Sequence, residues 1–213
     1  MRRLFPDPAE VGVLEALEDF PPEAPRGRPF VALNMVVSAD GRAAVDGRTS
    51  PLSSNSDRAM FHGLRERVDC VMVGAGTVRA EGYGRLIKDP DARTRRGALG
   101  LDPDPVIAVV SRSGDVPLED AVVGHDPAKL LRALEADRGV RSVLCEGGPM
   151  LTRDLLAQGL IDELFLTISA QLVGGEDPLT MVRGAPLEGP TGLDLVWILE
   201  GEGDLLLRWR LRP

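Results

Sequence analysis

Three short segments carry residue types suited to holding a phosphorylated ligand: Gly74-Ala75-Gly76-Thr77, Ser111-Arg112-Ser113-Gly114 and Glu146-Gly147-Gly148-Pro149. Each follows an apolar run of strand character, so each sits where a strand ends and a turn begins. In open α/β sheets, that rim leaves backbone N–H groups and helix N-termini free to meet a ligand. Glu146 to Pro149 lets the backbone come close and aims the first turn of the next helix outward, which suits a pyrophosphate. The spacing is not G-x-G-x-x-G, and glycine after a strand is more often plain turn geometry. Ser111 and Arg112 offer a hydroxyl and a guanidinium fork for a phosphate such as the 2′-phosphate of NADPH; a solvated turn with a surface arginine is the equal alternative. Asp40, Glu81 and Glu146 lie at or near strand ends, where desolvation can shift a pKa. Asp40 is also a good turn residue, and Arg65, beside the core-facing Leu64, reads by default as a surface arginine.

These residues need a sheet to hold them. FVALNMVV (30 to 37) predicts a central strand that SADGR (38 to 42) breaks. A helix follows, capped at Ser54 or Ser56, with Met60, Leu64 and Val68 on its core face. CVMVGAGTV and VIAVVSRSG repeat the strand-to-turn pattern, and the charged stretch from 88 to 105 between them reads as a surface loop. Asp126, Pro127 and Gly139 punctuate the next helix, and Glu146 to Pro149 joins a further strand to a further helix. LIDELFLTI (160 to 168) adds a strand, and the two strands around Gly201 and Gly203 form an antiparallel hairpin. The expected fold is three-layer α/β/α with a mixed sheet, mostly parallel and closed by that hairpin. Residues 1 to 28 form an N-terminal arm that packs on the domain or on a neighbouring subunit, and 29 to 213 form the single domain.

Composition narrows the function. With 43% apolar and 27% charged residues, the 213-residue chain has the mixture of a globular protein. A net charge of -8 disfavours nucleic acid, though a small phosphorylated ligand needs only a local pocket of cations. The start lacks an apolar signal core and no run approaches membrane-spanning length, so a cytoplasmic protein without membrane partners is expected. Cys70 and Cys145 lie inside apolar runs and read as core thiols, and His62 and His125 lack ligand spacing, so no metal is expected.

Taken in order, SADGRAAVDGRTSPLSS, LRERVDCVMVGAGTVRAE, VVSRSG and SVLCEGGPMLTRDLLAQGLIDELFLTISAQLVG resemble the C-terminal reductase domain of bifunctional riboflavin-biosynthesis deaminase-reductases and its stand-alone relatives, over about residues 29 to 211. The resemblance implies a dihydrofolate reductase-like fold, a homodimer, and NADPH-dependent reduction of 5-amino-6-(5-phosphoribosylamino)uracil, its ribosyl group becoming ribityl. The enzyme would present C4 of the nicotinamide to C1′ of the ring-opened sugar, so orientation carries most of the catalysis.

By position, the family implies cofactor contacts at Val37, Leu52, Gly74, Gly76, Thr77 and Glu81, at Ser111 and Arg112 near the 2′-phosphate, and at Gly147, Gly148, Pro149, Met150, Leu151 and Thr152 around the pyrophosphate. It implies substrate contacts at Asn34, Ser50, Arg65, Arg85, Lys88 and Glu146, with Asp40 and Glu146 as the acids that orient or protonate the substrate. Three departures bear on the acceptor. Asn34 stands where many bacterial members have Lys, Leu52 replaces a Trp, and GYGRLIK (82 to 88) replaces D-P-x-L-T-x-R, whose arginine Lys88 or Arg85 would stand in for. The deaminase signatures H-x-E and P-C-x-x-C do not occur in these residues. The departures leave open an NADPH-dependent reductase of another pyrimidine or pterin-like metabolite, and a non-catalytic nucleotide-binding protein is the third reading.

Overall fold

The computed structural model describes residues 1–176 and 178–212. In chain order the elements are β1 (Arg2–Phe5), β2 (Ala9–Glu10), α1 (Val13–Ala16), β3 (Phe30–Ser38), α2 (Asn55–Arg65), β4 (Cys70–Gly74), α3 (Ala75–Glu81), α4 (Pro90–Ala98), β5 (Val106–Val110), β6 (Val122–Gly124), α5 (Pro127–Arg138), β7 (Ser142–Cys145), α6 (Pro149–Ala157), β8 (Glu163–Ser169), β9 (Leu193–Gly201) and β10 (Asp204–Leu211). A 3-10 turn at Ser50–Leu52 leads into α2. Among the described residues the strands form one sheet in the order β2-β1-β9-β10-β8-β3-β7-β4-β5-β6. The run from β8 to β6 is parallel, and β10, β9, β1 and β2 add on antiparallel.

The caps explain where the helices begin. Ser54 Oγ accepts from the N–H of Asp57 at 3.1 Å, and Asp126 Oδ1 accepts from Lys129 N at 2.9 Å, with Pro127 at the first helical position. At the hairpin tip, Glu202 (φ 56) and Gly203 (φ 88) both take the left-handed conformation, the two-residue turn whose twist matches its strands.

Two apolar layers flank the sheet. Leu130, Leu131 and Leu134 of α5 and Leu151 and Leu155 of α6 pack on one face, over Leu33, Met72 and Val143. Met60 and Leu64 of α2 pack on the other, with Phe30, Phe165 and Trp197. Cys70 and Cys145 are fully buried in the first layer, and burial pushes the Cys145 thiol up to about 12, which makes it an inert core group.

The first 28 residues are stitched to the same domain. β1 pairs with β9, and Val11, Leu17 and Phe20 are buried in the α2 layer. The surface loop expected from 88 to 105 is corrected by α4. Asp89 caps it, accepting from Asp91 N at 3.0 Å, and Pro90 starts it. Arg96 is fully buried there, donating to the carbonyls of Asp102 at 2.7 Å and of Arg65 and Val68 at 2.8 Å each. High charge density hid a helix whose arginine ties off the end of α2. No helix among the described residues is long and apolar enough to cross a membrane, and no group of three or more His, Cys, Asp or Glu among them is placed to hold a metal ion.

Candidate active site

A cleft of about 1360 Å³ runs along the carboxyl ends of the parallel strands. One end is built by β4, β5 and β7 and by the helices that leave them. β4 passes into α3 without a loop at Gly74, and Gly74 N donates to Gly147 O at 3.1 Å, which locks the two strand ends together. Gly147 (φ 87) and Gly148 (φ 95) then turn the chain into α6. A β-carbon on Gly148 would sit 3.1 Å from Thr77 Oγ1, and one on Gly147 would be 2.8 Å from Met35 Sδ. Both positions therefore demand glycine for conformation and for space. Gly74, Gly76, Thr77, Gly148, Pro149, Met150 and Leu151 line this end.

Beyond it, Ser111 N donates to Gly124 O at 2.9 Å, and the carbonyl of Ser111 accepts from His125 Nδ1 at 2.6 Å. Ser111 Oγ accepts from Gly114 N at 3.2 Å, closing the turn that carries Arg112. Ser111, exposed Arg112 and His125 all line the cleft.

The other end is walled by β3, the 3-10 turn and α2. Asn34, Ser50, Asp57, Phe61 and Arg65 face it. Arg65 grips Glu146 with Nε to Oε1 at 2.5 Å and Nη2 to Oε2 at 2.7 Å, and Tyr83 donates its phenol to Oε2 at 2.6 Å. The Arg65 guanidinium also lies 4.0 Å over the Phe61 ring. Burial first, then the Glu146 charge, drives the Tyr83 phenol far above its ordinary range, so it stays a hydrogen-bond donor.

The expected residues fall into two groups. Asn34, Ser50, Arg65, Gly74, Gly76, Thr77, Glu81, Arg85, Lys88, Ser111, Arg112, Glu146 and Gly148 to Leu151 share the one cleft. Several are engaged differently from the expectation. Arg65 is a buried partner of Glu146 and no surface arginine, Glu81 accepts from the N–H and hydroxyl of Thr49 at 3.1 and 3.2 Å, and Arg85 pairs with Asp104 at 3.2 Å.

Five expected residues do not line the cleft. Val37 and Leu52 are core side chains, since β3 alternation and the 3-10 turn point them inward. Gly147 forms the floor of the glycine turn. Thr152 is fully buried under the first turn of α6 with Oγ1 unpartnered. Asp40, expected as an acid of the site, also lies outside that lining. Its carboxylate accepts from Ser38 Oγ at 2.5 Å, from Gly174 N at 2.8 Å and from Val173 N at 3.2 Å. Those donors, Ser38 first, hold its pKa well below the ordinary carboxylate range and fasten the loop at Val173 and Gly174 to the end of β3. Sequence reasoning missed Tyr83, His125 and Asp57, each isolated in the chain; only the i, i+4, i+8 spacing of Asp57, Phe61 and Arg65 could have shown that α2 turns a polar edge to the cleft.

The RibD C-terminal domain model matches residues 29–207. The chain is 29% identical over 191 residues to the 2,5-diamino-6-ribosylamino-4(3H)-pyrimidinone 5′-phosphate reductase of Archaeoglobus fulgidus, covering 74% of this chain and 87% of that one. It is 35% identical over 167 residues to the riboflavin biosynthesis protein RibD of Mycobacterium tuberculosis, covering 73% of this chain but only 46% of that longer protein. Among solved structures, a pyrimidine reductase-like protein from Corynebacterium diphtheriae superposes with a TM-score of 0.76 at 22% identity, covering 87% of this chain and 92% of that one, a likeness of fold.

Proposed function

The chain belongs to the RibD C-terminal domain family, and from that premise we propose that it is an NADPH-dependent reductase of the riboflavin pathway, converting the ribosyl group of a ribosylaminopyrimidine 5′-phosphate to ribityl. The observation that carries this reading is the shared cleft. A glycine turn at the start of α6, a Ser111–Arg112 rim and the Arg65–Glu146–Tyr83 cluster all open into one space of about 1360 Å³, enough for a dinucleotide beside an acceptor.

The residues fit the cofactor. The hollow over Gly148 is one that a β-carbon would fill, and the buried Thr152 Oγ1 lacks a partner beneath the same helix turn. Gly148 to Leu151 and Thr77 would hold the pyrophosphate, while Ser111 and Arg112 would hold the 2′-phosphate. When bound, the reduced nicotinamide supplies the hydride. The chain's own part is orientation: Arg65 and Tyr83 hold the Glu146 carboxylate rigid at the β7 rim, where it accepts hydrogen bonds from the acceptor, and the apolar walls thin out water. Asp40 has no place in this scheme.

A second reading, reduction of a pterin-like or other pyrimidine metabolite without a ribose phosphate, is favoured by one observation. Arg65 and Arg85 are already paired with Glu146 and Asp104, so Arg58 and Lys88 are the cleft cations on that side without an ion pair among the described residues. The same assay separates the readings. Purified protein is mixed with NADPH and either the ribosylaminopyrimidine phosphates or a dihydropterin, and absorbance at the reduced nicotinamide band is followed. Oxidation with a pyrimidine phosphate is expected; NADPH binding without turnover of any of them sinks the reductase reading.

We also propose a homodimer. Leu193, Leu195 and Leu205 stand 37%, 36% and 36% exposed on one face of β9 and β10, an apolar sheet surface suited to a second copy. Light scattering across a dilution series tests it, and a monomer at micromolar concentration rules it out.

A further inference from the structure

His125 is an exposed imidazole at the end of the cleft that Ser111 and Arg112 line. It follows β6 directly, and the register there holds Ser111 at two points. Gly124 O accepts from Ser111 N at 2.9 Å, and the carbonyl of Ser111 lies 2.6 Å from His125 Nδ1. A carbonyl oxygen only accepts, so Nδ1 must carry the hydrogen. In the neutral ring this contact leaves the lone pair on Nε2, which has no partner among the described residues. A β-carbon on Gly114 would sit 4.0 Å from His125 Cε1, so the ring leans across the turn formed by Ser111, Arg112 and Ser113. Three elements bring charged groups to this rim. The turn itself carries Arg112 and Asp115, and α3 adds Arg79, whose Nη1 donates to Asp115 O at 3.4 Å. The start of α5 adds Lys129 and Asp126, whose carboxylate is committed to the N–H of Lys129 at 2.9 Å.

We propose that His125 is a ligand of the cofactor's 2′-phosphate and admits it only together with a proton, so that selection of NADPH over NADH is coupled to proton uptake. The inference rests on the NADPH reading above, in which Ser111 and Arg112 hold that phosphate. Above neutral pH a phosphate monoester is a dianion whose oxygens only accept. A ring held with its lone pair on Nε2 would set acceptor against acceptor, a repulsive contact. One proton taken from solvent resolves it. Nε2–H then donates to a phosphate oxygen while Nδ1–H stays on Ser111 O, and the imidazolium adds a positive charge beside Arg112. Imidazole is the side chain that changes charge near neutral pH, so this uptake is accessible under ordinary conditions. NADH carries a hydroxyl at the same position, which can itself donate to Nε2 and calls for no proton. The proton count therefore separates the two cofactors, and by linkage the affinity for the phosphorylated one falls as pH rises.

The test is isothermal titration calorimetry with NADP⁺ and with NAD⁺, probes that differ only in the 2′-phosphate. Each titration is run at about pH 8 in two buffers of different ionisation heat, which counts the protons taken up on binding. The expected result is an uptake approaching about one proton for NADP⁺ beyond that for NAD⁺, with NADP⁺ affinity falling by up to about tenfold per pH unit above neutral. In His125→Gln, whose amide puts a permanent donor near the place of Nε2, the extra uptake should vanish and the NADP⁺ affinity should lose its pH dependence. A parent protein that prefers NADP⁺ without extra uptake overturns the role of His125, and so does uptake that persists in His125→Gln. The count on the unaltered protein decides the question even if the variant misfolds. A parent that binds the two dinucleotides alike overturns the NADPH reading, and this proposal with it.

Discussion

Arg65 and Glu146, 81 residues apart in the chain, meet in a two-point ion pair at 2.5 and 2.7 Å, with only 11% and 2% of their side chains exposed. The pair binds the last turn of α2 to the end of β7, tying one wall of the cleft to the strand end that leads into the glycine turn.

Breaking that pair should be expensive. Arg65→Met leaves a carboxylate buried against a phenol, and the loss of folding stability should be about 3–5 kcal/mol. Urea denaturation checks it. The double variant Arg65→Met with Glu146→Leu should lose clearly less than the sum of its two singles. Strict additivity would mean that the two side chains do not depend on each other.

Tyr83→Phe removes a 2.6 Å bond to a charged acceptor while keeping the ring. A stability loss of about 1.5–3 kcal/mol follows, together with a drop in kcat, because Glu146 can then swing on Arg65 alone. A variant with native turnover and stability would show that the phenol is a spectator.

Arg112→Ala should weaken NADPH by about tenfold or more and leave NADH nearly unchanged, since the guanidinium would address only the 2′-phosphate. Nicotinamide fluorescence titration reads both constants. Equal losses for the two cofactors would remove that role.

Gly148→Ala places a methyl 3.1 Å from Thr77 Oγ1 on a residue with φ 95. Strain of about 1–3 kcal/mol is expected, and NADPH affinity should fall further than the melting temperature alone suggests. If the variant binds cofactor as the parent does, the hollow over Gly148 is not the pyrophosphate seat.

Asp40→Ala should leave kcat within a few-fold of the parent and loosen the loop at Val173 and Gly174 that it fastens. The sign of the pH effect follows from its lowered pKa. A carboxyl held below its unfolded value of about 4 stabilises the fold above that pH, and this contribution is lost progressively as pH falls from there through the lowered folded value. Acid unfolding of the parent should therefore show a component that the variant lacks. A hundredfold fall in kcat would return Asp40 to the chemistry.

Much of the fold was legible because its signals are local. Ser54, Asp126 and Gly139 mark helix ends by hydrogen bonds to residues three or four away, and the left-handed turn at Glu202 and Gly203 is likewise set within its own hairpin. α4 escaped because its stabilising feature is distant: Arg96 is buried only because the carbonyls of Arg65 and Val68 wait for it.

By itself the chain determined the strand ends, the glycine turn and the family pattern, since these depend on residue type and short spacing. Only the tertiary structure decided which charged groups are available for chemistry. It tied Asp40 to the backbone at Val173 and Gly174 and paired Arg65 with Glu146. A side chain's charge is written in the sequence, but its partners come from elements that meet only when the sheet closes, and those partners fix what the charge can do.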